Sequence, residues 1–426
     1  MPDTSILKNQ NFLLLWSGNA ITFVGTCGVR IAYPLMALTL TGSPVAASWV
    51  GFAMTLPEFI FQVPSGVAAD YRNRRQTLVK CQKYGLMATL LAAVVVVVTP
   101  PGLTLLLMVS AFVEGAAQVF FATSELGLVR DIVSVEERPA AFALVEAEES
   151  IATVVGRGFG AVALGAARSL PFLANAATYL YALWSLSKIR SSPQEEVHGP
   201  SIWDWSSARS GMQFLRADPF LRSIAAILTA TNFIFEIVVL LTSMDIRNGG
   251  GPVWEIGVVL GAPGLGGIVS AAPTMWLARR ADTKIALTIT LWAWFLMLVI
   301  MAMCPTPAML AVSLVGIGAF WTFSNVAMTL YRVRVVPEAM LGRVVGATML
   351  VQCSGMAAGS LLAGYILSML GTSATGWLLV VAMLILALKT RRLEEPAAGL
   401  LKEATPAVAP TAAAAHRTPW SPKPRA

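Results

Sequence analysis

The sequence has little charge. Asp, Glu, Lys and Arg together make up 12% of its 426 residues, about half of the roughly 25% that is usual in soluble domains. Apolar residues account for 56%, and the mean hydropathy is +0.69. This balance excludes an ordinary soluble protein and predicts an integral membrane protein.

Histidine and cysteine are also scarce. The chain has two histidines and four cysteines, widely separated and without a Cys-x-x-Cys spacing: His198, His416, Cys27, Cys81, Cys304 and Cys353. Metal, haem and disulfide frameworks need such ligands at short spacing, so we expect no metal and no cofactor. We also expect no enzyme, because no His, Cys or Ser constellation lies at membrane depth.

Apolar runs long enough to cross a bilayer recur from Phe12 to Lys389, since a transmembrane helix needs about 20 apolar residues. Charge clusters and Gly/Pro turns divide these runs into twelve predicted helices in two sets of six. The first set covers residues 12–40, 44–66, 76–98, 102–124, 139–165 and 169–189, and the second covers 221–245, 253–279, 284–303, 306–331, 341–368 and 371–391. The predicted fold is an all-α membrane protein with twelve transmembrane helices in two six-helix bundles.

Basic residues predict the orientation, because loops on the cytoplasmic side retain Lys and Arg. If both termini are cytoplasmic, only Arg168 and Arg247 of the 30 Lys and Arg fall in outer loops, and only Arg30 and Arg157 fall inside helices. We therefore expect cytoplasmic termini and a multi-pass protein of the cytoplasmic membrane. Short basic loops facing an anionic leaflet explain the formal charge of +7, so no nucleic-acid partner is expected.

A linker and a tail interrupt the apolar pattern. Residues 190–220 carry charge, Pro and Ser, and they separate an N-terminal bundle (1–189) from a C-terminal bundle (221–392). The later part of the linker is expected to form a short helix on the inner membrane surface. Residues 393–426 are rich in Pro and Ala, and we expect them to be a disordered cytoplasmic tail.

The two halves resemble each other weakly. VSVEERPAAFALV begins at Val133 and VVPEAMLGRVVGA begins at Val335, and aligning these two residues places Glu136 on Glu338. Two six-helix repeats around a midplane cavity are typical of transporters.

The loop between the second and third predicted helices reads GVAADYRNRR, from Gly66 to Arg75. It resembles the G-x-L-A-D-x-x-G-R-[RK] loop of the major facilitator superfamily, which it matches at Gly66, Asp70, Arg74 and Arg75. Asn73 replaces the second glycine of that pattern, and Asn is the next residue most tolerant of a left-handed backbone. In the family this loop latches the two bundles on the cytoplasmic side. The resemblance therefore implies that Gly66, Asp70, Arg74 and Arg75 form a conformational gate.

Three further segments resemble the enterobactin-exporter-like and macrolide-efflux-like branch of this superfamily. They are NFLLLWSGNAITFVG near the start, RDIVSVEERPAAFAL between the fourth and fifth helices, and VRVVPEAMLGRVVG between the tenth and eleventh. Members are mostly bacterial exporters driven by the proton gradient, so the resemblance implies export of a drug, natural product or siderophore. It does not identify the cargo.

The predicted fifth helix contains VEAEESIATVVGRGFG, residues 145–160, with more charge than its surroundings. At 100° per residue, Glu146 and Arg157 share a face, Glu149 lies near its edge and Glu148 points well away. Ionised side chains in hydrocarbon cost at least about 2.5–3.5 kcal/mol each, so this stripe should face a wet cavity or a partner. Other charged side chains expected at similar depth belong to Arg30, Glu58, Glu114 and Glu236.

Two interpretations of these charges remain open. The charges form a static ion-pair network that holds the helices together, or the acids, which outnumber Arg30 and Arg157, carry protons. A carboxylate without a counter-charge in hydrocarbon favours its protonated form. If protons are carried, Glu149 is expected to act ahead of Glu146, because it lies nearer the midplane.

Together these features predict a secondary active transporter that exports a small organic compound by proton antiport and alternating access. We expect it to act as a monomer. The alternatives are an uptake symporter and a transporter-like sensor that does not transport. An intact Asp70 argues against the sensor, because a protein that no longer alternates has little use for a gate.

Overall fold

The computed structural model describes residues 6–189, 201–203, 205–278 and 282–390. A 3-10 turn at Ile6–Lys8 precedes a series of α-helices. The helices are α1 (Gln10–Thr41), α2 (Pro44–Tyr71), α3 (Arg74–Val98), α4 (Leu103–Ile132), α5 (Arg138–Ala166), α6 (Leu170–Lys188), α7 (Ser206–Ala217), α8 (Pro219–Asn248), α9 (Val253–Ala278), α10 (Thr283–Met303), α11 (Pro307–Val335) and α12 (Glu338–Lys389). The predicted tail lies outside the described residues, as does most of the first part of the linker.

The predicted all-α membrane fold is confirmed. Within the described residues, α1–α4 and α8–α12 make nine helices that are long and apolar enough to cross a membrane. A count of twelve spans would also need α5, α6 and both parts of α12 to cross, so that count remains a prediction. The short linker helix expected from the sequence is α7.

Side-chain caps set several helix starts. Asn9 accepts a hydrogen bond from the Phe12 amide at α1, and Ser43 accepts one from the Ala46 amide at α2. Asn73 stands where the superfamily loop has a glycine, and its φ and ψ of −63° and 108° are extended rather than left-handed. It instead caps α3 through its side chain, which satisfies a backbone N–H group that would otherwise lack a partner.

Gly371 divides α12. A straight helix of its 52 residues would be about 78 Å long, far more than the roughly 30 Å of a bilayer's hydrocarbon core. The backbone of Gly371 has φ 74° and ψ 176°, a conformation that is open to glycine and strained for other residues. The chain therefore reverses there, close to the boundary predicted between the last two helices.

The helices pack as two halves. In the first half α1 packs on α5 and α6, while α4 packs on α2 and α3. In the second half α12 packs on α8 and α10, while α11 packs on α9 and α10. Two seams join the halves, one formed by α2 with α12 and the other by α5 with α9.

The two ends of the molecule differ. At the near end, where α1 and α3 begin, Asn9 Nδ2 donates to the Ile132 carbonyl (2.9 Å) and Arg75 Nη2 donates to the Leu186 carbonyl (2.9 Å). The turn at Gly42 marks the far end, where α1 passes into α2. The distribution of basic residues predicts that the near end faces the cytoplasm.

The buried apolar core joins the halves towards the far end. One cluster contains residues of both halves, and its first-half members include Tyr33, Leu38 and Val50, from the far parts of α1 and α2. A separate cluster at the near end, around Phe12 and Leu78, contains first-half residues alone. The halves are thus held together mainly at the far end.

Direct contacts form a seal at the far end. Trp49 Nε1 donates to the Tyr365 hydroxyl (3.0 Å), and Arg247 Nη1 donates to the Leu38 carbonyl (3.1 Å). A Cβ atom at Gly364 would collide with the Pro44 carbonyl oxygen. Only glycine at position 364 allows α12 to approach α2 this closely.

The seal can be tested with two alanine substitutions in the same helix. Gly364→Ala should destabilise the protein by about 1–3 kcal/mol, because the new methyl group overlaps a backbone carbonyl. Hydrogen exchange at residues 44–54 and 355–366, and the melting temperature, would measure the effect. Gly346→Ala is the control, because a Cβ there meets no atom within 4 Å and should leave both quantities unchanged or slightly improved. Equal behaviour of the two variants would contradict the seal.

Candidate functional site

A cavity lies between the two halves, next to the far-end seal. Its volume is about 790 Å³ including its opening, and its lining comes from α1, α2, α5, α8, α9 and α12. We call it the central cavity.

Arg30 of the first half lines this cavity and forms an ion pair with Glu58 of the same half. Arg30 on α1 lies about 17 Å from the far-end turn and Glu58 on α2 about 21 Å from it, so the two antiparallel helices bring them to similar depth. Arg30 Nη2 and Glu58 Oε1 are 2.7 Å apart, with side chains 32% and 23% exposed. Both side chains are thus partly exposed rather than sealed in the core.

Two further charges approach the pair. Glu236 on α8 and Arg157 on α5 also line the cavity, and Glu236 interacts electrostatically with Arg30, Arg157 and Glu58. Arg157 Nη1 donates to the Leu260 carbonyl of α9 (2.9 Å). The cavity lining thus combines two bases of the first half with one acid of the second, and Glu58 pairs with one of those bases.

The structure separates the charged residues that the sequence grouped together. Arg30, Arg157 and Glu236 line the central cavity and Glu58 pairs with Arg30, whereas Glu114 lies elsewhere, inside the first half. The side chains of Glu146 and Glu149 lie outside the described residues, so their predicted roles remain predictions.

Glu114 is the centre of a buried polar cluster. Its side chain is fully buried. Asn175 Nδ2 (2.6 Å) and the Tyr179 hydroxyl (3.0 Å) donate to Oε1, and the Tyr33 hydroxyl (2.8 Å) donates to Oε2. These three neutral donors tie α4 to α1 and α6, and the Tyr33 ring also packs edge-on against Phe172 at 5.1 Å.

The tyrosines of this cluster were missed in the sequence. Asn175 and Tyr179 are four residues apart on α6, so both lie on one face of that helix, and this spacing was the available signal. Nothing local indicated that Tyr33 or Glu114 would meet that face, because three helices distant in sequence supply the cluster.

The loop predicted to act as a gate lies at the near end. Arg74 Nη1 pairs with Asp131 of α4 (2.7 Å), and Arg75 donates to the carbonyls at the end of α6. Both arginines therefore contact other helices of the first half. The Asp70 side chain is exposed, and a Cβ at Gly66 would meet no atom within 4 Å.

Comparison with known proteins agrees with this geometry. Residues 15–360 match the family model described as Major Facilitator Superfamily. The chain belongs to this superfamily. The resemblance seen in the loop from Gly66 to Arg75 is thereby confirmed at the level of the superfamily.

A relative and two solved structures are similar over most of the chain. The "Multidrug efflux pump Tap" of Mycolicibacterium fortuitum is 26% identical over 398 residues, which cover 87% of this chain and 90% of that protein. The nucleoside transporter NupG is 14% identical with a TM-score of 0.72, covering 90% of this chain and 98% of that one. A bacterial homologue of the iron transporter ferroportin, solved in an inward-facing state, is 17% identical with a TM-score of 0.68, covering 91% and 98%. Structural identities this low show a shared fold alone.

Two substitutions of Glu114 test the buried cluster. Glu114→Leu leaves three buried donors without an acceptor, each at a cost of about 1–3 kcal/mol, so the variant should be strongly destabilised. Glu114→Gln keeps an oxygen for Asn175 and Tyr179, and its amide donates to a rotated Tyr33 hydroxyl, so stability should fall by less than about 1 kcal/mol. Thermal unfolding of both proteins in nanodiscs would measure the difference. Equal melting temperatures would show that the cluster contributes little.

Proposed function

We propose that this protein exports a small organic compound across the cytoplasmic membrane by alternating access, and that inward proton movement drives the export. The observation that carries the proposal is the central cavity, which presents charged side chains from both halves and lies next to a seal at one end. A cavity between two halves joined mainly at one end is what alternating access requires of one of its two states.

The contacts of the seal are suited to breaking and reforming. Trp49 with Tyr365 and Arg247 with Leu38 are hydrogen bonds across the interface between the halves, so separating the far ends breaks few bonds within either half. At the near end, Asp70 on α2 is exposed, and a Cβ at Gly346 on α12 would meet no atom within 4 Å. These features support a state in which the cavity is reached from the near end.

The efflux direction rests on the similarity to the multidrug efflux pump Tap, which extends over 90% of that protein. The predicted cytoplasmic position of the near end agrees with it, because cargo would then enter the cavity from the cytoplasm. The charged lining favours cargo that carries polar or ionised groups beside an apolar body.

Glu236 is the residue that we propose to couple proton binding to movement. It belongs to α8 of the second half and interacts with Arg30 and Arg157 of the first. A proton on Glu236 removes the attraction between its carboxylate and these cations, so it weakens the electrostatic contact between the halves. Proton binding then shifts the balance between the two states of the cycle.

Efflux measurements would test this function. Cells that express the protein should retain less of a panel of organic compounds, ethidium among them, and collapse of the proton gradient without loss of ATP should abolish the difference. In the Glu236→Gln variant the new side chain is isosteric with the protonated acid, so the variant should fold. Its rate of proton-driven efflux should be at least tenfold lower than that of the parent protein. Glu136→Gln, on an exposed loop residue, is the matched control and should export normally.

Other outcomes would change the assignment. Normal pH-dependent export by Glu236→Gln would rule out its coupling role, and uphill export without a gradient would indicate another energy source. Greater accumulation in expressing cells would indicate an uptake symporter. No change for any compound would favour a non-transporting sensor.

Asp70 provides a test of the gate. We propose that its carboxylate engages the second half only when the near end closes, because it is exposed while the far end is sealed. Asp70→Asn should therefore leave the melting temperature within about 1 °C of that of the parent protein, with normal abundance in the membrane. It should reduce the transport rate severalfold, because it destabilises the state in which the near end is closed. Transport at the normal rate in this variant would remove Asp70 from the gate.

A further inference from the structure

The charges that the described residues place around the central cavity sum to zero. Arg30 is matched by Glu58 at 2.7 Å. The other charged residues of the described lining are Arg157 of the first half and Glu236 of the second, one of each sign. The cavity therefore favours neither a net cation nor a net anion.

Arg157 and Glu236 line the same cavity without touching each other. The ion pairs of the described residues are formed by other side chains. The guanidinium of Arg157 is held by the Leu260 carbonyl of α9 (2.9 Å), a neutral acceptor that occupies one of its N–H groups. Glu236 is attracted by Arg30 and Arg157 at longer range. An ion at membrane depth is unfavourable without a close partner, so a molecule in the cavity that supplies such a partner to each charge is stabilised there.

A cargo with a single charge is repelled by part of this arrangement. An ammonium group that approaches Glu236 also approaches Arg30 and Arg157, because both cations interact with the same carboxylate. A carboxylate that approaches Arg157 is in turn repelled by Glu236. Like charges repel strongly where the dielectric is low. A cargo that carries both signs meets an attractive partner at each end.

Phe235, next to Glu236 in α8, adds an aromatic side chain to the cavity lining. Its ring centre lies 6.3 Å from that of Trp294 in α10 and 6.0 Å from that of Trp321 in α11, and the two indole rings stack at 5.6 Å. Trp294 is 1% exposed, and its Nε1 donates to the Ile317 carbonyl (3.2 Å). Phe235 is thus held by a fixed aromatic group, and such a ring suits an aryl or apolar part of a cargo.

We propose that the cargo of the central cavity is zwitterionic, a compound that carries an ammonium group and a carboxylate on an aryl or apolar body. The carboxylate binds Arg157, the ammonium group donates to Glu236, and the aryl body lies against Phe235. This inference rests on the proposed transport function and names the class of compound that is carried. Because Arg157 belongs to the first half and Glu236 to the second, such a cargo links the two halves across the cavity.

Calorimetry with the full chain in nanodiscs tests the charge preference without any proton gradient. The probes are two zwitterions of different charge separation, phenylalanine and 4-(aminomethyl)benzoate. The singly charged analogues are 2-phenylethylammonium and 3-phenylpropionate for the first, and 4-methylbenzylammonium and 4-methylbenzoate for the second. Empty nanodiscs correct for partition into lipid.

We expect at least one zwitterion to bind saturably, and at least tenfold more tightly than either of its singly charged analogues. A singly charged analogue that binds as tightly as its zwitterion would overturn the proposal. Absence of saturable binding for both zwitterions would overturn it as well.

Two neutral substitutions assign the ends of the cargo. Glu236→Gln should weaken zwitterion binding at least tenfold and leave the affinity for the carboxylate analogue unchanged or higher, because a repelling charge is gone. Arg157→Gln keeps an N–H donor for the Leu260 carbonyl. It should weaken zwitterion binding at least tenfold and leave the affinity for the ammonium analogue unchanged or higher. Glu136→Gln, on an exposed loop residue, is the control and should bind like the parent protein.

Parental affinity for the zwitterion in a folded Glu236→Gln variant would contradict the proposal, whether or not Arg157→Gln folds. Failure of the inference and failure of the transport function give different results. Zwitterion binding in nanodiscs without export from cells would contradict the transport function and support this site. Proton-driven export of other compounds, with no zwitterion binding, would support the transport function and overturn the inference.

Discussion

Hydrocarbon tolerates neither an isolated ion nor an unsatisfied backbone group, and this constraint accounts for most of the structure. It makes the spanning segments helical, and it directs each intramembrane charge towards a partner or a wet cavity. Arg30 illustrates the result, since its guanidinium contacts Glu58 at 2.7 Å and lines the central cavity. The charges that a membrane protein retains therefore lie where the two halves meet or where helices must be tied together.

The carboxylates are stabilised in different ways, and the differences separate their proposed roles. Glu58 pairs with a cation of its own half, and Glu114 is held by three neutral donors of its own half. Glu236 interacts with cations of the opposite half. Rocking of the halves would change the surroundings of Glu236 far more than those of Glu114. For this reason the acid on the interface, rather than the most buried acid, is the better candidate for coupling.

Reasoning from the sequence recovered the all-α membrane fold, the linker helix and the superfamily, because hydropathy, caps and turn residues act over a few neighbouring positions. Among the charges it grouped, Arg30, Arg157 and Glu236 line one cavity and Glu58 pairs with Arg30. It considered Asn73 only for its tolerance of a left-handed backbone and missed that its side chain caps α3. It gave no weight to Phe235, whose aromatic neighbours come from other helices.

What the sequence determined by itself is the membrane-spanning character, the order of the helices and the loop at Gly66 that marks the superfamily. These properties depend on composition and on short-range spacing, which a linear chain displays directly. Only the tertiary structure decided that Glu114 lies away from the central cavity, where it accepts hydrogen bonds from Tyr33, Asn175 and Tyr179. It also decided that Glu148 lines a pocket inside the first half. Those pairings join helices that are far apart in the chain. Helix periodicity indicates which face of a helix a side chain lies on, but it does not indicate which other helix packs against that face.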